Sequence, residues 1–188
     1  EALVKMQPDD AAALAWHFEQ AEEIGRAAEY ALRAGQKANA VYAYVQARAY
    51  FDKSLALLEQ AATYLRTPEQ MTVNQQLRIQ ALEGRGWVLC LLGDMEAYAR
   101  DSQELARLAQ ELGDRRTLAH LRYREANTQR WFCHYVAALE AAEDGIRQSQ
   151  AVDDRLLEAM CQRELGLTVR EMNDYPRAKL ALEQALNL

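Results

Sequence analysis

Apolar residues recur at steps of three and four along the segment 95–112, which lacks both glycine and proline. Leu105 and Leu108 lie on the apolar side of the helical wheel, and charged or amide side chains occupy the opposite side. Asp94 precedes the segment and can cap a helix, and Gly113 follows it as a residue that accepts the left-handed conformation. We therefore predict an amphipathic helix that must pack against neighbours, because it cannot bury its apolar side alone.

The same pattern recurs when the sequence is shifted by forty residues. The shift aligns three small residues, Gly86, Ala126 and Gly166. It also aligns three predicted turns, at 91–95, 132–135 and 172–175. Each period therefore holds two helices and a turn, and we predict three such repeats, at about 79–112, 119–152 and 159–188. Because glycine costs about 1 kcal/mol relative to alanine inside a helix, Gly86 and Gly166 are predicted to mark close helix contacts.

The first third of the chain is also helical but less regular. Alanine-rich apolar stripes predict three helices, at roughly 9–21, 24–40 and 44–64. The sequence Thr-Pro-Glu at 67–69 is a helix-start signal, since a hydroxyl cap precedes a proline and an acid. We therefore predict a loop at 64–70, irregular repeat-like helices in 1–66 and the three repeats in 67–188, the first two of which are degenerate copies. The expected fold is all-α, with about nine helices stacked as antiparallel pairs in one continuous solenoid.

Composition excludes several classes of function without naming one. The chain has 188 residues, of which 50% are hydrophobic, with only 8 glycines and 3 prolines, as expected for a helical protein with a core. Its net charge of −6 disfavours direct binding to nucleic acid. No window of about 18 apolar residues is present, so we expect no membrane span. The 3 cysteines are widely spaced, which predicts buried free thiols in a reducing cytoplasm.

The clearest repeat reads RELGLTVREMNDYPRAKLALEQALNL, at 163–188. Its small Gly166, the turn Asn-Asp-Tyr at 173–175, Ala178 and Ala185 resemble the marks of a tetratricopeptide repeat. The forty-residue spacing exceeds the usual period of about 34 and is similar to a longer-helix variety found in regulatory proteins. The segment LAWHFEQAEEIGRAAEYALRAG resembles the start of the repeat domain in bacterial signalling ATPases and in regulators related to the maltose-regulon activator. The resemblance implies a right-handed superhelix, and we expect a fragment of a larger protein.

The resemblance also implies a concave face lined by the first helix of each repeat. The residues expected to bind a partner on this face are Glu83, Trp87, His120, Tyr123, Asn127, Arg130, Arg163 and Arg170. Tryptophan, tyrosine and arginine are common anchors of protein partners. Some tetratricopeptide proteins hold a peptide carboxylate with lysine, asparagine and arginine. Asn127 and Arg163 fall at suitable positions, whereas Glu83 and Trp87 depart from that pattern, so we expect no chaperone-tail receptor.

Other interpretations of these residues remain open. The aromatic side chains could belong to the core instead of a binding face. The arginines could pair with acidic neighbours, where exposed pairs contribute little stability: Glu125, Glu164 and Glu171.

No recognisable catalytic constellation is present, because the three histidines lack a nucleophile or carboxylate partner in a known motif. We expect no catalytic residue, no cofactor and no metal site. The main hypothesis is a non-catalytic regulatory module that binds a protein or peptide segment, or another domain of its own chain. The alternative is a ligand-sensing repeat domain of a multidomain signalling ATPase or transcriptional regulator. The apolar edge at Leu182, Leu186 and Leu188 also leaves open a homodimer through the end of the stack.

Overall fold

The computed structural model describes residues 10–188, which form helices, turns and loops with no strand among them. Nine helices are described: α1 (Ala11–Gln20), α2 (Ile24–Ala40), α3 (Tyr44–Ala62), α4 (Pro68–Leu92), α5 (Met95–Leu112), α6 (Arg115–Trp131), α7 (Tyr135–Ala151), α8 (Arg155–Glu171) and α9 (Tyr175–Leu186). The all-α prediction is confirmed. The predicted segments 24–40 and 95–112 match α2 and α5 at both ends, and the start predicted at residue 9 lies outside the described residues.

A residue in the left-handed conformation follows seven of the nine described helices. Gly93 and Gly113 adopt it with φ of 77° and 66°, as the sequence predicts for Gly113. The others are Glu22, Tyr42, Cys133, Asp153 and Asn173. From Gly93 to Asn173 these residues recur every twenty positions. The forty-residue period therefore consists of two helices, each followed by the same kind of turn.

An aspartate next to the left-handed residue starts four of these helices. The side chains that accept a hydrogen bond from the backbone N–H three positions further on are those of Asp94, Asp114, Asp154 and Asp174. Each bond satisfies an N–H group that has no partner within the first helical turn. α4 begins differently, because Thr67 and Gln70 form a reciprocal capping box with Pro68 in the first turn. This confirms the predicted helix start.

The helices group into two compact units, one that ends at Leu108 and one that spans Ala109–Leu188. In the first unit, α2 packs against α1 and α3, α3 packs against α4, and α2 also contacts α4. In the second unit, α6, α7 and α8 each pack against the helix that follows, and α6 also contacts α8. Each unit therefore contains antiparallel helix pairs packed side by side. The boundary predicted at 66–67 lies in the loop before α4, inside the first unit.

Small residues lie where helices approach closely. A Cβ atom added to Gly166 would lie 2.7 Å from Cγ of Leu182 in α9, which confirms the predicted close contact. A Cβ atom added to Gly145 would lie 2.7 Å from Sγ of Cys161 in α8. Gly86, the predicted equivalent of Gly166, is buried in α4 of the first unit. Gly145 and Gly166 therefore have no room for a larger side chain unless a neighbour moves.

Candidate protein-interaction surface

α6 and α8 lie side by side in the second unit, and their contact contains residues that were expected to line an open face. Tyr123 is only 8% exposed and packs with Leu157 and Cys161 of α8. His120 stacks on Tyr123, with ring centroids 5.8 Å apart and an interplanar angle of 21°. Tyr123 is therefore a buried packing residue and not the exposed anchor that the sequence suggests. This side of α6 is the surface on which α8 packs.

The carboxylate of Glu164 is fully buried at the contact between α6 and α8. Asn127 donates a hydrogen bond from Nδ2 to Oε2 over 3.2 Å, and Arg130 donates from Nε to the same oxygen over 3.0 Å. Arg163 donates from Nη2 to Oε1 over 2.7 Å. A buried carboxylate without partners would be strongly unfavourable, and these donors compensate for its lost hydration. Three residues expected to bind a partner thus hold an internal carboxylate.

This carboxylate also shifts the pKa values of neighbouring side chains. Its hydrogen bond raises the pKa of the Arg163 guanidinium above the ordinary value. Burial raises the pKa of the Tyr123 hydroxyl, and the charge of Glu164 adds to that effect. Burial, together with the charges of Glu164 and Glu158, raises the pKa of the Cys161 thiol to about 12. At neutral pH this thiol is protonated, so it lacks the thiolate that a nucleophilic cysteine needs.

The remaining residues of the expected binding face differ in their surroundings. In the first unit, α4 carries a half-buried Glu83 and an exposed Trp87. In the second unit, Arg170 is exposed and pairs with Glu171 over 2.7 Å. The alternative that arginines pair with acidic neighbours is confirmed at Glu164 and Glu171, although Glu164 is buried and not at the surface. A role of the expected residues in partner binding stays a prediction.

Large apolar side chains are exposed where the helix pairs of the second unit turn. We call five of them the turn-edge patch: Trp131, Phe132, Val136, Met172 and Tyr175. Their exposed fractions lie between 44% and 72%. The first three lie at the turn from α6 to α7, and the other two lie at the turn from α8 to α9. The contacts Arg116–Asp154 and Arg130–Glu164 show that α6 and α8 run in the same direction, so both turns lie at the same end of the unit.

Arg130 connects the buried carboxylate to the turn-edge patch. Its guanidinium carbon lies 5.4 Å from the ring centroid of Trp131, while its Nε binds Glu164. The Arg130 side chain is only 13% exposed, so its position is fixed by the surrounding protein. The cation–π contact therefore helps to orient an indole ring that is otherwise exposed to solvent.

The sequence predicts these turns but not the exposure of their apolar residues. Phe132 aligns with Met172 at the forty-residue spacing, and Tyr135 aligns with Tyr175. Within the second pair, however, Tyr135 is half-buried and Tyr175 is exposed. Alignment alone therefore does not separate packed positions from exposed ones. The useful signal is the presence of large apolar residues at turns, where polar residues and glycine are more common.

The first unit has exposed apolar residues at its own corresponding turns. Val41, Tyr42 and Val45 lie at the turn from α2 to α3, and Leu91 and Leu92 end α4. The rings of Tyr42 and Tyr44 pack edge to face, with centroids 6.2 Å apart. Exposed apolar residues at these turns are thus a repeated property of the chain.

Residues 10–188 contain no group of three or more His, Cys, Asp or Glu side chains arranged to hold a metal ion. Over the same range, none of the helices has the length and hydropathy that crossing a membrane requires. All three cysteines are free thiols: Cys133 is exposed, Cys90 is half-buried and Cys161 is buried. The candidate features of the second unit are therefore the exposed turn-edge patch and the buried Glu164 carboxylate with its hydrogen-bond donors.

No protein-family model matches the chain, and no curated protein matches its sequence. The resemblance to tetratricopeptide repeats therefore stays a prediction from the residues quoted above.

Proposed function

We propose that the protein is a non-catalytic interaction module whose second unit binds a segment of another protein at the turn-edge patch. The observation that carries this proposal is Trp131, which is 72% exposed although tryptophan is usually among the more buried residues. Four more large apolar side chains are exposed at the same end of the unit. Exposed apolar residues grouped at one end of a domain are typical of protein-interaction sites, and tryptophan and arginine are frequent anchors at such sites.

The chemistry of the patch favours an apolar partner segment. The charge of Arg130 is already balanced inside the protein by Glu164, with 3.0 Å between the paired atoms. The hydroxyl of Tyr175 donates to Oδ1 of Asn173 over 3.1 Å, which leaves its ring to contact a partner. A partner that buries leucine-like or aromatic side chains here removes apolar surface from water, and that burial supplies most of the affinity.

Fold and composition support proposals about the repeat class and the cellular compartment of the protein. Helix pairs with a forty-residue period support a tetratricopeptide-like repeat protein, a class that presents extended binding surfaces. The free thiols support a reducing compartment such as the cytoplasm. We propose a regulatory role for the module, in which capture of the segment is the functional event.

The experiment is a selection from a random peptide library displayed on phage, with the purified chain as bait. Selected peptides are then titrated into the chain by calorimetry. We expect Trp131→Ala to weaken binding at least about tenfold, because a central tryptophan typically contributes 2 kcal/mol or more.

The matched control is Tyr64→Ala, since Tyr64 is a similarly exposed aromatic residue in the loop before α4 of the first unit. Binding by this variant should equal that of the unaltered chain, and circular dichroism should show both variants fully helical. Failure to select any binding peptide, or equal binding by the Trp131→Ala variant, would overturn the proposal.

A further inference from the structure

Large apolar side chains are exposed at one end of the first unit. We call five of them the first-unit patch: Val41, Tyr42, Val45, Leu91 and Leu92. Their exposed fractions lie between 40% and 78%. Nη2 of Arg48, near the start of α3, lies 3.1 Å from Oδ2 of Asp94, which directly precedes α5. The turn from α2 to α3 and the turn from α4 to α5 therefore lie at the same end of the unit.

The turn from α2 to α3 has the same backbone conformation as the turn from α6 to α7 in the second unit. Tyr42 has a φ of 61°, and Cys133 has a φ of 60°. In both turns the N–H of the next residue donates to the carbonyl oxygen five positions earlier, over 2.9 Å. These next residues, Ala43 and His134, form no side-chain cap, unlike the aspartates that start four other helices. The two turns are therefore equivalent.

The side chains of the two turns correspond as well. In each turn an exposed apolar residue precedes the left-handed one, a half-buried tyrosine follows two positions after it, and an exposed valine comes next. The corresponding pairs are Val41 with Phe132, Tyr44 with Tyr135 and Val45 with Val136. In each unit the following helix already packs against the helix pair, and yet the valines are 74% and 66% exposed. The first unit thus repeats the apolar turn on which the turn-edge patch is built.

We propose that the first-unit patch is a second binding site for an apolar peptide segment of a partner protein. The class of segment rests on the function proposed above for the turn-edge patch, because equivalent turns present equivalent apolar side chains. Tyr42, which is 78% exposed, supplies the aromatic ring that Trp131 supplies in the second unit. The chain therefore binds two such segments, one on each unit.

The charges beside the first-unit patch favour a peptide over a lipid surface. Surfaces that bind lipid headgroups combine apolar residues with basic groups that attract anionic lipid. Arg48 is the basic residue one turn after Val45, and it is balanced by Asp94 at 3.1 Å and by Asp52 at 3.8 Å. The turn-edge patch likewise adjoins an arginine that an internal carboxylate balances. Both patches therefore suit an uncharged apolar segment.

The size of the first-unit patch favours a peptide segment over a second copy of the chain. A stable interface between two folded proteins involves roughly 20–30 residues on each side. The patch offers five apolar side chains grouped at two turns. A short segment can cover such a group with two or three apolar anchors, and a few central anchors supply most of the affinity at such sites.

The first probe is the tightest-binding peptide that phage selection recovers with the unaltered chain, titrated into the full chain by calorimetry. We expect two peptides to bind per chain. Val45→Asp should reduce this number to one, because the bound segment would bury a carboxylate, whereas an acid in the first turn of α3 is compatible with the helix. Tyr42→Asn should have the same effect, since asparagine tolerates the left-handed conformation. Trp131→Ala should also leave one site, and Trp131→Ala with Val45→Asp should leave none.

The matched control is Val73→Asp, because Val73 is another exposed valine of the first unit and lies near the start of α4, away from the patch. This variant should still bind two peptides. Circular dichroism should show each variant as helical as the unaltered chain.

A second selection, with the Trp131→Ala variant as bait, makes the test independent of the turn-edge patch. Peptides recovered on this bait should lose at least about tenfold in affinity when Val45→Asp is added. Such peptides support the first-unit site even if the unaltered chain yields no peptide that depends on Trp131, a result that would refute the proposed function alone. If neither selection yields a peptide whose binding depends on Val45, the proposal is overturned.

Two other occupants of the first-unit patch have their own readouts. Self-association of the chain that Val45→Asp abolishes in sedimentation equilibrium overturns the proposal, because the occupant is then a second copy. Co-sedimentation with phosphatidylcholine vesicles that Val45→Asp abolishes overturns it as well, because the occupant is then a lipid surface.

Discussion

Nε of Arg130 lies 3.0 Å from Oε2 of Glu164, although the two residues are thirty-four positions apart. Arg130 is on α6 and Glu164 is on α8, so the pair joins two consecutive helix pairs of the second unit. Glu164 is fully buried, and Asn127 and Arg163 complete its hydrogen bonding. The pair therefore specifies how α6 and α8 align, because any shift along the helices separates the carboxylate from its donors.

Loss of Arg130 should destabilise the protein far more than loss of Arg163. We expect Arg130→Met to lower the free energy of unfolding by about 3 kcal/mol, because a buried carboxylate loses a largely buried cationic partner. Arg163 contacts the same carboxylate, but its side chain is 54% exposed. Arg163→Met should therefore cost about 1 kcal/mol or less. Urea unfolding followed by circular dichroism measures both values.

The double variant Arg130→Met with Glu164→Leu provides the control for this prediction. Removal of both side chains eliminates the buried carboxylate that has lost its largely buried cationic partner, so much of the lost stability should return. Equal losses for the two single arginine variants would show that the buried pair does not control the α6–α8 contact.

The same substitution should have opposite effects at two glycines. Gly113 has a φ of 66°, a conformation that costs a side-chain-bearing residue about 1–2 kcal/mol. We expect Gly113→Ala to destabilise the protein by about 1 kcal/mol after the entropy loss of the unfolded chain is included. Gly25 lies in α2, and an added Cβ would meet no atom within 4 Å. Gly25→Ala should therefore stabilise by about 0.5 kcal/mol.

Thermal unfolding followed by circular dichroism distinguishes the two glycine variants by the sign of the change in Tm. The contrast directly tests the left-handed turn that recurs every twenty residues, because the effect depends on backbone conformation and not on side-chain contacts. If Gly113→Ala raised Tm as Gly25→Ala is expected to do, Gly113 would not adopt the left-handed conformation after α5.

The helices could be read from the sequence because their ends are encoded locally. Asp94 and Gly113 flank α5, and Thr67 caps α4 within three residues of its partner Gln70. The burial of Glu164 could not be read in this way, because its donors Asn127 and Arg130 come from a different helix. A periodic pattern identifies the side of a helix that a residue occupies, but not whether another helix covers that side.

Tyr123 illustrates why the pattern does not predict burial, because the sequence suggests an exposed side chain and the structure buries it. Its position in the pattern equals that of Arg163 forty residues later. Tyr123 is covered by α8, whereas the side chain of Arg163 is 54% exposed. Equivalent positions of two successive repeats thus differ in burial: one packs against a helix and the other is exposed. The packing order of the helices decides which of the two is buried.

The three thiols should differ in reactivity. Cys133 is exposed at the turn after α6, whereas Cys161 is buried against Gly145. At pH 8 we expect a thiol-specific chromogenic reagent to modify Cys133 within minutes and Cys161 only after denaturant is added. Cys133→Ser should remove the fast phase and leave the slow one. A fast phase that persists in this variant, and disappears in Cys90→Ser, would assign the accessible thiol to Cys90 instead.

The stability contributed by the buried Cys161 thiol should be lost at alkaline pH. Its pKa is raised from 9.0 to about 12 in the folded protein, chiefly by burial. Well below pH 9 the thiol is protonated in both states. Between pH 9 and about 12 the unfolded chain loses this proton while the folded chain keeps it, so the free energy of unfolding falls as pH rises.

Comparison with Cys161→Ala isolates this effect, because every other titrating group is common to both proteins. At pH 7.5 the variant should be less stable, since alanine leaves the space of the sulfur atom empty beside Gly145. The difference in unfolding free energy should then shrink steadily as the pH is raised from about 9 to 10.5, because only the cysteine-containing chain is penalised. Urea titrations in the presence of a reductant measure the difference at each pH. Parallel curves for the two proteins would mean that Cys161 titrates normally, and that the contact between α7 and α8 admits water.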